Sequence, residues 1–260
     1  MTLAPALVAG WYGKLPALGD FASRRLPPAF IGPWDAWLQR GIASSRATLG
    51  DRWLDVYLNG PLWNFALLPG VCGGSAWLGT IMPSVDKVGR HFPLTIALAV
   101  PPHAGILRTV AAAREWFAAI DRAALACLDI HCLPEQLETR LAEVPFPALP
   151  AIDERAGDGL AAWLAARAAG TLVLHLPAGV SAADVLGAAA RPGGVDGSCS
   201  AEAADGADGA DAARAADAAG RSLWWSDTTT SDATRLLGFH GLPAGDQFTL
   251  LLDDADGPPP

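Results

Sequence analysis

Residues 84–100 read SVDKVGRHFPLTIALAV. From Leu94 to Val100 the apolar side chains follow one another instead of alternating with polar ones. A strand with one wet face alternates; a strand covered on both faces does not. Leu94–Val100 is therefore expected to be a central strand with helices on both sides. The half before it holds Asp86, Lys87, Arg90 and His91, punctuated by Gly89 and Pro93. That punctuation predicts an ordered turn feeding the strand.

Outward from this strand the same logic continues. Trp77, Gly79 and Ile81 alternate, and so do Trp63, Phe65 and Leu67, with PGVCGG (69–74) between them. The pair reads as a hairpin with a wide turn. Asp51 opens a short helix with Trp53 and Tyr57 on one face. Pro33 suits the first position of a longer helix, with Asp35 in its first turn facing the positive end of the dipole. Trp34, Trp37, Leu38, Gly41 and Ile42 form the inner stripe of that helix. LVAGWYGKL (7–15) is a first strand that stops at Pro16.

Downstream, Ile106, Val110, Ala113, Phe117, Ile120, Ala124 and Cys127 step by four and three, which predicts one long amphipathic helix. A second helix carries Leu137, Leu141 and Val144 as far as PFPALP (145–150), and a third covers about 159–169. TLVLHL (171–176) and RSLWWS (221–226) read as buried strands, with His175 as a core histidine. GDQFTLLLDD (245–254) reads as a short helix or strand. The expected class is α/β: a central mixed sheet with helices packed on both faces, a three-layer sandwich whose strand order the sequence leaves open.

Residues 191–220 are built from Ala, Gly, Asp and Ser, with Val195 as the one larger apolar side chain. Such a segment buries too little surface to offset its ordering entropy. The organisation expected is a core over 1–190, a flexible acidic insertion over 191–220, elements rejoining the core over 221–252, and a frayed tail over 253–260. The net charge is −9. Residues 1–100 hold eight Lys/Arg against five Asp/Glu, a balance of +3, whereas residues 191–260 hold four against twelve, −8. This argues against a nucleic-acid partner and leaves the basic first part able to meet an acidic protein surface. No run of 18 apolar residues free of charge predicts a membrane span. The first residues lack a basic leader, and the four cysteines form no CxxC pair. A cytoplasmic location is expected.

Motifs that carry chemistry are few. Gly13-Lys14 invites comparison with a phosphate loop, but Val8 stands where its first Gly belongs and Leu15 where Ser or Thr belongs. No GxGxxG or GxSxG occurs, and the five histidines lack metal-ligand spacing, so no metal or cofactor is expected. Two polar loops remain: LPALGDFASRRLP (15–27), with Asp20, Arg24 and Arg25, and the stretch around Asp86. Three readings stay open for them: carboxylates that cap amides and neutralise arginines, a recognition surface for a partner, or a hydrolase-like site using Asp20, Asp86 and Arg90.

GWYGKLPALGDFASRRLP, WDAWLQ, YLNGPLWNFALLPG and MPSVDKVGRHFPLTIA, in this order, resemble the TagF family of proteins associated with bacterial type VI secretion. The likeness runs through about residues 8–100 and more loosely to 150. It implies an α/β sandwich, no catalytic residues, and post-translational repression of the secretion machine through the forkhead-associated scaffold Fha. Some members are fused to a PppA-type phosphatase domain. The 260 residues leave no room for one, so a stand-alone member is expected, with any phosphatase encoded separately. An assembly subunit of the apparatus is the alternative. Among positions that match the motifs, the tryptophans, Phe21 and Phe92 are expected in the core. Lys14, Asp20, Arg24, Asp86, Lys87 and Arg90 are the candidate partner contacts.

Overall fold

Leu94–Val100 is a strand, here β5, and it lies inside a sheet. The computed structural model describes residues 7–100, 106–147, 171–176, 180–189, 220–226 and 234–252. The expected helix at 159–169, the insertion from 191 to 219 and the tail from 253 lie outside these residues. Within them are β1 Gly10–Gly13, β2 Ala22–Arg24, β3 Trp63–Leu67, β4 Ala76–Met82, β5, β6 Leu172–Leu176, β7 Arg221–Ser226 and β8 Thr234–His240. The helices are α1 Pro28–Leu49, α2 Trp53–Leu58, α3 Ile106–Ala112, α4 Arg114–Ala126, α5 Pro134–Ala142 and α6 Ala182–Ala189. A 3₁₀ segment, Gly245–Leu251, follows β8.

The eight strands form one sheet in the order β2-β1-β5-β4-β3-β7-β8-β6. Every described pairing is antiparallel. The α/β class and the helices on both faces are as expected; of the expected mixed sheet, the described strands supply antiparallel neighbours throughout. The predicted hairpin is β3–β4, with Trp63 opposite Ile81, Phe65 opposite Gly79 and Leu67 opposite Trp77.

Side chains alternate across a strand, so each inner strand feeds two cores. Trp63, Phe65, Trp77, Trp224, Leu237 and Phe239 face α1, α2 and the 3₁₀ segment. Ala66, Leu78, Ile96, Leu98, Trp225 and Leu236 face α3–α6. The first core is an aromatic layer. Trp34 of α1 stacks on Trp224, with centroids 6.0 Å apart and planes 8° apart, and touches Phe65 at 5.0 Å. Buried indoles need an acceptor. Trp34 donates to Thr95 Oγ1 at 2.9 Å, Trp53 to Ser45 Oγ at 2.9 Å, and Trp63 to the Leu251 carbonyl at 2.8 Å.

Four local expectations change. α1 begins at Pro28, not Pro33, and Asp35 lies beyond its first turn. Pro28 takes the position where a missing N–H costs nothing. Pro33 sits inside the helix, and Ala29, whose carbonyl it leaves without an intrahelical donor, is on the exposed face where water can serve it. The long helix is broken at Ala113 (φ −89°, ψ 11°) into α3 and α4, although all seven predicted inner residues are buried. β6 is an edge strand, so only Leu172 and Leu176 are buried and His175 is exposed. β2 and β8 have no counterpart in the sequence reading.

Gly79 marks the tightest approach of the inner strands. A Cβ there would lie 2.2 Å from the Ile96 carbonyl oxygen and 2.9 Å from Ala97 Cα. Gly79→Ala is expected to lower the urea midpoint, at a cost of about 2–3 kcal/mol. Gly74→Ala, which meets open space, should stay within about 0.5 kcal/mol of wild type when tryptophan fluorescence follows unfolding.

Candidate functional site

The two polar loops meet at one end of the sheet. β1 runs beside the start of β5 only because Gly13 has no side chain: at φ 137° a Cβ would fall 2.1 Å from the Pro93 carbonyl oxygen. Lys14 follows directly and turns its ammonium inward. It lies 2.8 Å from Asp86 Oδ2, and neither side chain is more than 5% exposed. Arg90 Nε donates to the same oxygen at 2.7 Å. Asp86 Oδ1 accepts the backbone N–H groups of Val88 at 3.0 Å and Arg90 at 2.9 Å. Gly89 supplies the positive φ, 84°, that closes this turn.

Burial alone would raise the Asp86 carboxyl. The donors from Lys14, Arg90 and Val88 outweigh it and hold the group well below the usual carboxylate range. Asp86 is thus a fixed anion with its oxygens engaged, which makes it a poor general base. The turn is also tied to its neighbours. Lys87 N–H donates to the Leu18 carbonyl at 2.7 Å, and Arg90 Nη2 donates to the Gly19 carbonyl. Ser84 Oγ donates to the Lys14 carbonyl at 2.8 Å, and the Tyr57 hydroxyl donates to the Ser84 carbonyl at 2.9 Å. Burial raises the Tyr57 hydroxyl, which stays protonated and donating. Burial and the charge of Arg46 lower His91, so its ring is neutral near pH 7.

The six sequence candidates therefore separate. Lys14 and Asp86 are interior. Asp20, Lys87 and Arg90 are exposed at the joined turns, with Arg90 3.9 Å from Asp20. Arg24 is exposed on β2, in register with Trp11, and donates to the Ser23 carbonyl at 2.9 Å. Strand alternation puts it on the α4–α5 side of the sheet, away from Phe21. Arg25 pairs with Glu138 of α5 and donates to the Ala9 carbonyl. Phe21, expected in the core, is 44% exposed: one side stacks with Tyr12 and meets Phe92 edge-on, and Lys14 Nζ lies 4.8 Å from its ring. Val88, which no sequence signal marked, stands 67% exposed at the tip of the second turn.

Neither of two described clefts is lined by Asp20, Asp86 or Arg90. One, of about 400 Å³, lies between Ala111–Glu115 and α6; the other, of about 30 Å³, is apolar and lies beside Trp37 and Trp63. Among the described residues no group of three His, Cys, Asp or Glu could hold a metal ion. No helix among them is long and apolar enough to cross a membrane. Cys127 and Cys132 are buried with sulfurs 3.4 Å apart.

The motif charges of this α/β sandwich thus lock two turns together. The family described as "TagF N-terminal domain, Type VI secretion system-associated" matches residues 10–144, which include every residue of the turn network. The chain belongs to this TagF family of type VI secretion-associated proteins. It is also similar to PA0076 of Pseudomonas aeruginosa PAO1, whose crystal structure it matches at 31% identity and a TM-score of 0.64, over 97% of each chain. A likeness to an RNA-binding light-oxygen-voltage receptor, at 15% identity and a TM-score of 0.19, carries no argument. No curated protein matches the sequence.

Two outcomes test the network. Asp86→Ala leaves the Lys14 ammonium unpaired where water cannot reach it, and should cost about 3–5 kcal/mol in chemical denaturation. Lys14→Met with Asp86→Leu should recover the part of that loss that comes from the unpaired ammonium, and leave the part that comes from the Val88 and Arg90 donors. The acid limb gives the second test. Asp86 is depressed in the folded state, so its contribution is fully present above the unfolded carboxyl value of about 3.9 and is lost as pH falls from there toward the depressed folded value. Stability measured from pH 6 downward should fall less steeply below about pH 4 in the double variant than in wild type.

Proposed function

We propose that this protein is a negative regulator of a type VI secretion system, acting after translation by binding a protein of the apparatus. The forkhead-associated scaffold Fha is the partner that the family suggests. The reading places the protein in the cytoplasm and links its function to a PppA-type phosphatase. It assigns no reaction and no cofactor. Membership of the TagF family, over residues 10–144, carries the proposal. The geometry of the turns supports it: the interior carboxylate, Asp86, is consumed in ion pairs with Lys14 and Arg90. In this reading Lys14 and Asp86 position the turns, and Asp20, Lys87 and Arg90 meet the partner, with Arg24 at the margin. Residues 191–220 serve as an acidic linker between the core and the elements from 221 to 252.

Deleting the gene should raise secretion of a type VI substrate into the medium, and overproduction should suppress it. A fall to background on deletion would instead mark an assembly subunit. Purified protein should retain the purified scaffold on a column, and Arg90→Ala, at an exposed position of the joined turns, should weaken retention and repression together. Loss of repression in that variant, with the scaffold still bound, would revive an enzymatic reading.

A further inference from the structure

The joined turns present charge and apolar surface of a particular kind. Lys87 and Val88 occupy the tip of one turn, Phe21 flanks the other, and Arg90 lies between them with its side chain half in solvent. At the edge, the Arg46 guanidinium lies 4.0 Å from the centre of the Trp53 ring, and that ring meets His91 edge-on. At the surface the cations Arg46, Lys87 and Arg90 stand against the carboxylate of Asp20, with Asp35 behind the Tyr12 ring that stacks on Phe21. Asp86 is neutralised internally by Lys14. Among the described residues Lys87 has no carboxylate partner. This basic spot sits on a chain of net charge −9, so its field is opposite to that of the molecule as a whole.

We propose that this face, built on Phe21, Lys87, Val88, Arg90 and Arg46, binds an acidic protein segment that carries a large apolar side chain. The proposal rests on the reading of the protein as a binding regulator and names the chemistry of its partner. Complementary charge steers such a segment here, because the rest of the acidic chain repels it. Val88 and the open side of Phe21 supply the desolvated anchor that charges alone lack. The anchor is presented on turns already fastened by Asp86, so little ordering entropy remains to be lost on binding. The buried Lys14–Asp86 pair is thus the support of the surface, and not part of it.

The test is a titration of the full chain with a random Glu/Tyr copolymer, followed by backbone amide shifts. Poly-glutamate and a Lys/Tyr copolymer serve as controls. The expected shifts cluster at residues 19–21, 46 and 86–91, are weaker with poly-glutamate, are absent there with the Lys/Tyr copolymer, and fade with added salt. Lys87→Glu combined with Val88→Asp, both at exposed positions, should weaken copolymer binding about tenfold. No shifts, shifts spread over the surface, or unchanged affinity of this variant would overturn the proposal. The secretion assay stays separate. Regulation without the copolymer site sinks this inference alone. A mapped site in a protein whose loss leaves secretion unchanged sinks the regulatory reading alone.

Discussion

A carboxylate withdrawn from water must be answered by charge and by donors, or the fold that withdraws it is lost. Asp86 is answered by four donors that come from three residues: Lys14 at the end of β1, and Val88 and Arg90 in its own turn. That one group therefore joins the end of the first strand to the entrance of β5, and β5 lies between β1 and β4 inside the sheet. Gly13 imposes the complementary condition, since no side chain fits between β1 and Pro93. Together the two fix how the narrow β2–β1 edge is attached to the sheet.

The inner sheet was legible in the sequence because its residues answer to one neighbour at a time. Uninterrupted apolar residues from Leu94 to Val100 mark a strand covered twice. Alternation in Trp63–Leu67 and Trp77–Ile81 marks a hairpin, and a 4-3 spacing marks helices even across the break at Ala113. What was not legible depends on position in the sheet. Leu172–Leu176 is as apolar as an inner strand, yet it lies at an edge, and only topology puts His175 outside. β8 carries adjacent Leu236 and Leu237 with Gly238 after them, which hides its period.

The candidate site was legible in outline and not in depth. Residue types and spacing indicated that Asp86, Arg90 and the 15–27 loop belong together, and the ion pairs and backbone bonds join them. Sequence could not say that Lys14 points inward, because an ammonium at a strand end is usually solvated and its burial here follows from Asp86. Nor could it show Phe21 open on one side, since an aromatic beside a strand is usually buried. The charges that carry the family likeness thus divide into a buried pair and an exposed set, and only three-dimensional placement makes the division.

The indole of Trp63 donates to the backbone of Leu251, 188 residues further along the chain. The indole of Trp37 likewise donates to Pro243. Both tryptophans belong to the aromatic layer that α1 lays on the sheet. During synthesis at about 5–20 residues per second, roughly 10–40 s separate the emergence of Trp63 from that of Leu251. Over that interval the widest aromatic surface of the nascent chain has no cover from the 3₁₀ segment. The side of the protein sealed last in biosynthesis is thus the one richest in tryptophan, where a chaperone would find its longest opportunity.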